Sequence, residues 1–141
     1  MNYLLDTCVL SELVKSQPEP AVLKWIGERQ DKELFVSAMT IAELQRGVAK
    51  LPESRRRTEL SVWLEQLETS FEERVLPFTL STAHHWASMC AQAEAAGQSI
   101  AAFDSIIAAS ALEYGLALVT RNVRDFVQTQ AVLINPWPDT R

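Results

Sequence analysis

The 141-residue chain predicts an α/β fold: one domain over residues 1–141, with a central, mostly parallel sheet of about five strands and helices on both faces. Two observations carry that prediction. Short apolar runs alternate with segments of helical periodicity, which implies parallel pairing through right-handed crossovers. The length also suits one hydrophobic core and not two.

The elements follow in order. Residues 2–5 form an apolar run ending at Asp6, and Val9, Leu10, Leu13 and Val14 then recur at helix spacing, so a strand feeds a helix. Pro18 and Pro20 break that pattern, and a second helix fits residues 20–29. Leu34 to Ser37 reads as a buried strand, after which Thr40 caps a helix to about Lys50, with Glu43 at the third helical position as in a capping box. Residues 53–73 form a long amphipathic helix with Leu60, Trp63, Leu64 and Leu67 as its apolar stripe. Val75 to Phe78 is a strand whose Pro77 marks its end or an edge. Helices over 80–96 and 104–114 stop at Gly97 and Gly115. Strands at 116–119 and 132–134 complete the sheet, the last shut off by Asn135-Pro136.

Composition bounds the function. With 48% hydrophobic and 22% charged residues the chain reads as globular, and no apolar run is long enough to cross a bilayer. No basic segment precedes the apolar start, so no signal peptide is expected and the cytoplasm is the expected location. Cys8 and Cys90 read as reduced core residues. A net charge of −5 argues against broad adhesion to nucleic acid, unless the acids gather in a metal site and the arginines near it.

In open α/β sheets the ligand crevice lies beyond the carboxyl ends of the strands, so polar residues just after strands become site candidates. Asp6 ends the first strand, Glu43 lies in the first turn after the second, Asp104 begins a helix, and Asp125 follows the strand at 116–119 through a polar turn. Each has a plainer alternative as a helix-start residue, where a carboxylate gains about 0.3–1 kcal/mol from the dipole. Asp6 is harder to explain that way, because an unpaired carboxylate at the edge of a core is costly.

Convergence of four acids favours the functional reading. Clustered carboxylates raise one another's pKa and call for a cation; hard oxygen donors without Cys–His spacing favour Mg²⁺, with Mn²⁺ as a substitute, over zinc. His84 and His85 are adjacent on a helix and point apart, so they do not form a metal site and read as structural or solvent-facing. Such a site performs phosphoryl transfer with a metal-activated water. Arg121 and Arg124 are placed to hold flanking phosphates or are solvated loop charges; the Arg55–Arg57 run reads as a solvated helix face or a partner surface.

Five segments then resemble the PIN-domain family, specifically the VapC-type toxins of bacterial toxin–antitoxin pairs and the related FitB proteins. They are Leu4 to Leu13, Ala42 to Val48, Asp104 to Ala109, Leu118 to Phe126 and Ile134 to Trp137, in order and spanning nearly the whole chain. The resemblance implies a Mg²⁺- or Mn²⁺-dependent endoribonuclease that acts as a homodimer and is inhibited by a small antitoxin, through which alone operator DNA is engaged. It implies that Asp6 and Asp104 are the main metal ligands, that Glu43 and Asp125 act less directly, and that Thr7 and Asn122 line the site. Phe103 stands where many relatives have Pro or another turn former.

Competing classes fare worse. A phosphoacceptor receiver domain needs a late lysine, and none follows Lys50; a haloacid-dehalogenase-like phosphatase needs an aspartate where Cys8 stands. A non-catalytic scaffold of the same fold, sequestering a partner protein or RNA, predicts a missing acid, and all four are present.

Overall fold

The computed structural model describes residues 1–138. Strand β1 (Tyr3–Leu5) runs into α1 (Thr7–Leu13) and α2 (Pro20–Gly27), and β2 (Leu34–Ser37) into α3 (Ala38–Ala49) and α4 (Arg55–Phe71). After β3 (Val75–Leu76) come α5 (Leu80–Ala95), α6 (Ala102–Tyr114), β4 (Ala117–Val119) and β5 (Leu133–Ile134). Short 3-10 segments at Asp31–Glu33, Glu72–Arg74 and Val123–Thr129 fill the connections. The expected class therefore holds, and the five strands are all parallel.

Side-chain alternation divides the core into two layers, one on each face of the sheet. Leu5, Val36 and Val119 face one way and pack with Val9, Leu10, Val22, Ile41, Leu64 and Leu67 from α1 to α4. Leu4, Leu76 and Leu118 face the other way and meet Met89 of α5 and Ile107, Ala108 and Ala111 of α6, with Phe126 from the last 3-10 segment. Full burial of a Leu, Ile or Phe side chain is worth about 1.5–3 kcal/mol, so both helical layers are held by the same period-two strands. Small residues on α6 let it lie close to the sheet.

Several boundaries differ from the sequence reading. Helix α3 starts at Ala38, and its cap is Ser37, whose hydroxyl accepts the Met39 N–H at 3.1 Å. Thr40 is buried inside that helix and caps nothing, because a residue that both ends a strand and caps the next helix lets the chain turn with no linker. Helix α6 begins at Ala102, placing Asp104 within its first turn and not at its cap. Strand β3 stops at Leu76, before Pro77, which lacks the N–H to extend a ladder. Helix α2 ends at Gly27, two residues early. Gly115 does close α6 as expected, at φ 63°, a conformation that favours glycine.

The strand order is β3-β2-β1-β4-β5. From β1 the chain steps outward to β2 and β3, then crosses back to place β4 on the other side of β1. Connections leave these two neighbouring strands in opposite directions, and a crevice opens between their carboxyl ends. Asp6 stands at its centre.

Candidate active site

Asp6 follows β1 directly and is only 5% exposed. Its backbone N–H still bonds to Val119 of β4 at 3.0 Å, so the neighbouring strand sets its height in the crevice. Both carboxylate oxygens are held: Oδ1 accepts the Thr7 N–H at 2.8 Å and Oδ2 accepts the Thr120 hydroxyl at 2.8 Å. Asp6 is thus also the N-cap of α1, so the plainer alternative is realised for one of its two oxygens. Oδ1 retains a free lone pair.

The other acids arrive from three further segments. Glu43 lies on α3, and its Oε1 accepts the Thr7 hydroxyl at 3.0 Å; Thr40, one turn earlier, lies 3.4 Å from the same hydroxyl. Thr7 therefore ties Glu43 to the residue that follows Asp6. Asp104 comes from the first turn of α6, where it makes no capping bond. Asp125 sits in the first turn of the 3-10 segment after β4, exposed to solvent.

The charges of the other three acids reach Asp104. Burial, and then the charges of Asp6, Asp125 and Glu43, push the Asp104 carboxyl up to about 6. Burial raises Asp6 as well; the hydrogen bonds from Thr120 and Thr7 oppose that shift, and the charge of Asp125 adds to it. Among the described residues, however, no three His, Cys, Asp or Glu side chains converge tightly enough to cage a metal ion by themselves.

Sequence reasoning missed Thr120, which is fully buried. Besides donating to Asp6 it accepts the Asn122 N–H at 3.0 Å, bracing the turn after β4. The signal was available: Thr120 is the polar residue that ends an apolar strand, the same position that singles out Asp6. Cys8 is free and half-buried; its thiol donates to Asp6 Oδ2 at 3.7 Å and accepts the Arg121 N–H at 3.5 Å. Burial and the nearby Asp6 charge push this thiol up, so it stays protonated. Glu12 is a fifth, separate acid that is 4% exposed at the end of α1, where Lys15 and the Glu19 N–H satisfy it at 2.9 and 3.0 Å.

The arginines divide. Arg121 and Arg124 are exposed near the crevice, the Arg121 guanidinium 5.6 Å from the Trp137 ring. Asn122 is exposed beside them. In the Arg55–Arg57 run, Arg55 pairs with Glu59 at 3.1 Å, and Arg56 donates to the Val14 carbonyl at 2.9 Å, tying α4 to the end of α1. His84 and His85 face solvent.

A parallel five-stranded sheet in the order β3-β2-β1-β4-β5, with helices on both faces, defines the fold class, and comparison with known proteins gives the family. The PIN domain model matches residues 3–131, and the chain belongs to the PIN-domain family, in its VapC and FitB branch. The chain is 40% identical over 135 residues to VapC ribonuclease Y4jK of Sinorhizobium fredii, covering 95% of this chain and 96% of that one. It superposes on the crystal structure of FitAcB from Neisseria gonorrhoeae with a TM-score of 0.91 at 36% identity, covering 96% and 98% of the two chains. A structure of FitAB bound to an IR36 DNA fragment gives a TM-score of 0.92 at 33% identity, covering 99% and 98%.

Proposed function

We propose that the protein is a Mg²⁺-dependent endoribonuclease, the toxin of a toxin–antitoxin pair, with Asp6, Glu43, Asp104 and Asp125 as its catalytic acids. The observation that carries this reading is the gathering of four carboxylates from four segments: burial, and then the charges of the other three, push Asp104 up to about 6. Such repulsion weakens the fold and has no structural return without a cation. A scaffold that merely bound a partner would gain by losing one of these acids.

Asp6 and Asp104 would hold the ion directly, with Glu43 and Asp125 acting through its waters; Mn²⁺ would substitute. The bound ion supplies a water of lowered pKa and stabilises charge on the scissile phosphate. The chain's own residues set the geometry. Thr7 N–H and Thr120 hold the Asp6 carboxylate in one orientation, and the Thr7 hydroxyl holds Glu43 beside it. Arg121 and Arg124 meet flanking phosphates, and Asn122 lines the approach.

Relatives support the choice of RNA and of partners. One matched protein is named a VapC ribonuclease, another from Salmonella typhimurium a tRNA(fMet)-specific endonuclease VapC, and matched structures hold FitA with FitB, with and without DNA. The protein accordingly acts on RNA as a homodimer and is checked by a small antitoxin that engages operator DNA. Among the described residues no helix is long and apolar enough to cross a membrane, in keeping with action in the cytoplasm.

The deciding experiment is cleavage of RNA by purified protein. Cutting is expected only with Mg²⁺ or Mn²⁺, and Asp6→Asn should abolish it while circular dichroism shows an intact fold. Equal cleavage by wild type and variant would overturn the assignment.

A further inference from the structure

Beside the acid cleft lies a cavity of about 210 Å³ lined by Met39, Ala42, Glu43, Arg46 and Phe103. Two of these residues are tied by sequence to the acids. Arg46 is three residues after Glu43 and so shares its face of α3, while Phe103 immediately precedes Asp104 at the start of α6. The Arg46 guanidinium lies 5.1 Å from the centre of the Phe103 ring, joining the two helices across the rim of the cleft.

Beyond that mutual contact neither residue is used by its own fold. Phe103 is 36% exposed, a large apolar ring left at a helix start. Arg46 is exposed and makes no ion pair among the described residues, although two of the acids lie on the segments it bridges. The floor, Met39 and Ala42, is apolar. A planar aromatic face, an unpaired guanidinium and an apolar floor are the parts by which proteins seat an unstacked base and its phosphate.

Resting on the ribonuclease reading, we infer that this cavity is a base subsite for single-stranded RNA: Phe103 stacks on one nucleobase next to the scissile bond and Arg46 holds that nucleotide's phosphate. The subsite positions the nucleotide beside the cut, and ring stacking gives a modest preference for the bases that stack best. An apolar protein side chain fits less well, because it would bury Glu43 and Arg46 against the cavity and offer neither a partner. The cavity is of the scale of one base, so selection acts at one position.

The test uses conservative variants. Phe103→Leu keeps apolar bulk without a stacking face, Phe103→Tyr restores the face, and Arg46→Gln removes the charge; melting curves confirm folding. On denatured bacterial RNA with Mg²⁺, Phe103→Leu and Arg46→Gln should raise KM about 10-fold or more, as expected for a lost stacking or phosphate contact. The change in kcat should stay within about 2-fold. End-mapping of Phe103→Leu products should show a flattened base preference at the cut, which Phe103→Tyr restores. Unchanged KM and unchanged preference overturn the subsite. A second arm needs no cleavage: a short single-stranded RNA carrying 2-aminopurine, titrated with Ca²⁺ present, should be quenched by wild type and Phe103→Tyr but not by Phe103→Leu. If wild type cuts no RNA, the catalytic reading fails, while quenching still supports the base subsite and its absence overturns it. Normal RNA readouts together with weakened antitoxin binding in Phe103→Leu would make the cavity a protein-docking site and overturn the proposal.

Discussion

Thr120 shows how much rests on one hydroxyl. It donates to Asp6 and accepts from the Asn122 N–H within a fully buried pocket. Thr120→Val takes the hydroxyl donor from Asp6 Oδ2 and leaves the Asn122 N–H without its acceptor, which costs about 1–3 kcal/mol. Urea denaturation should show that loss, Thr120→Ser should recover most of it, and cleavage should fall in the valine variant because Asp6 is no longer held. Asp104 gives a pH signature. Its folded pKa of about 6 lies above the 3.8 of an unperturbed aspartate, so the folded state binds more protons between these values. Stability of the metal-free protein therefore rises as pH falls from about 6 to 3.8. In EDTA, Asp104→Asn should raise the melting temperature at pH values above that window and lose its advantage below it. An equal gain at every pH would show that Asp104 does not feel its neighbours.

At the scale of elements, strand ends and helix starts share residues. Ser37 closes β2 and caps α3, and Asp6 does the same between β1 and α1. Ser37→Ala should cost about 1 kcal/mol by chemical denaturation, as for other N-caps. Thr40→Ala should instead act through the loss of a buried contact with Thr7, loosening the Thr7–Glu43 arrangement and lowering cleavage. The capping-box pattern at Thr40 and Glu43 misled the sequence reading because two legitimate caps, Ser37 and Thr40, stand three residues apart. Local chemistry cannot choose between them; the end of the β2 ladder does. Helix α6 poses the same difficulty: Ala101 is an undistinguished cap, so its start was legible only to within a turn.

For the whole molecule, strand order decides the site. The chain's return from β3 to β4 beside β1 brings acids from α3, α6 and the 3-10 segment around Asp6. If those acids share a cation, Mg²⁺ should raise the melting temperature of wild type, and Asp6→Asn should raise it without metal while losing the response to Mg²⁺. A melting temperature indifferent to metal in both proteins would count against a common ion.

The order of apolar strands, periodic helices and polar strand ends is written in the chain itself. Hydrophobic periodicity and side-chain chemistry act locally, so α/β class, parallel pairing, Asp6 and the three other acids could be read from it. Which strands are neighbours could not, because pairing joins residues far apart in sequence: Leu4 meets Phe35 on one side and Leu118 on the other. Only that pairing sets Thr120 against Asp6, 114 residues away, and Arg46 against Phe103 at the rim. Residue types thus determined the chemistry the protein has to offer, and the tertiary structure decided where those groups meet, because contact and electrostatic coupling depend on distance through space.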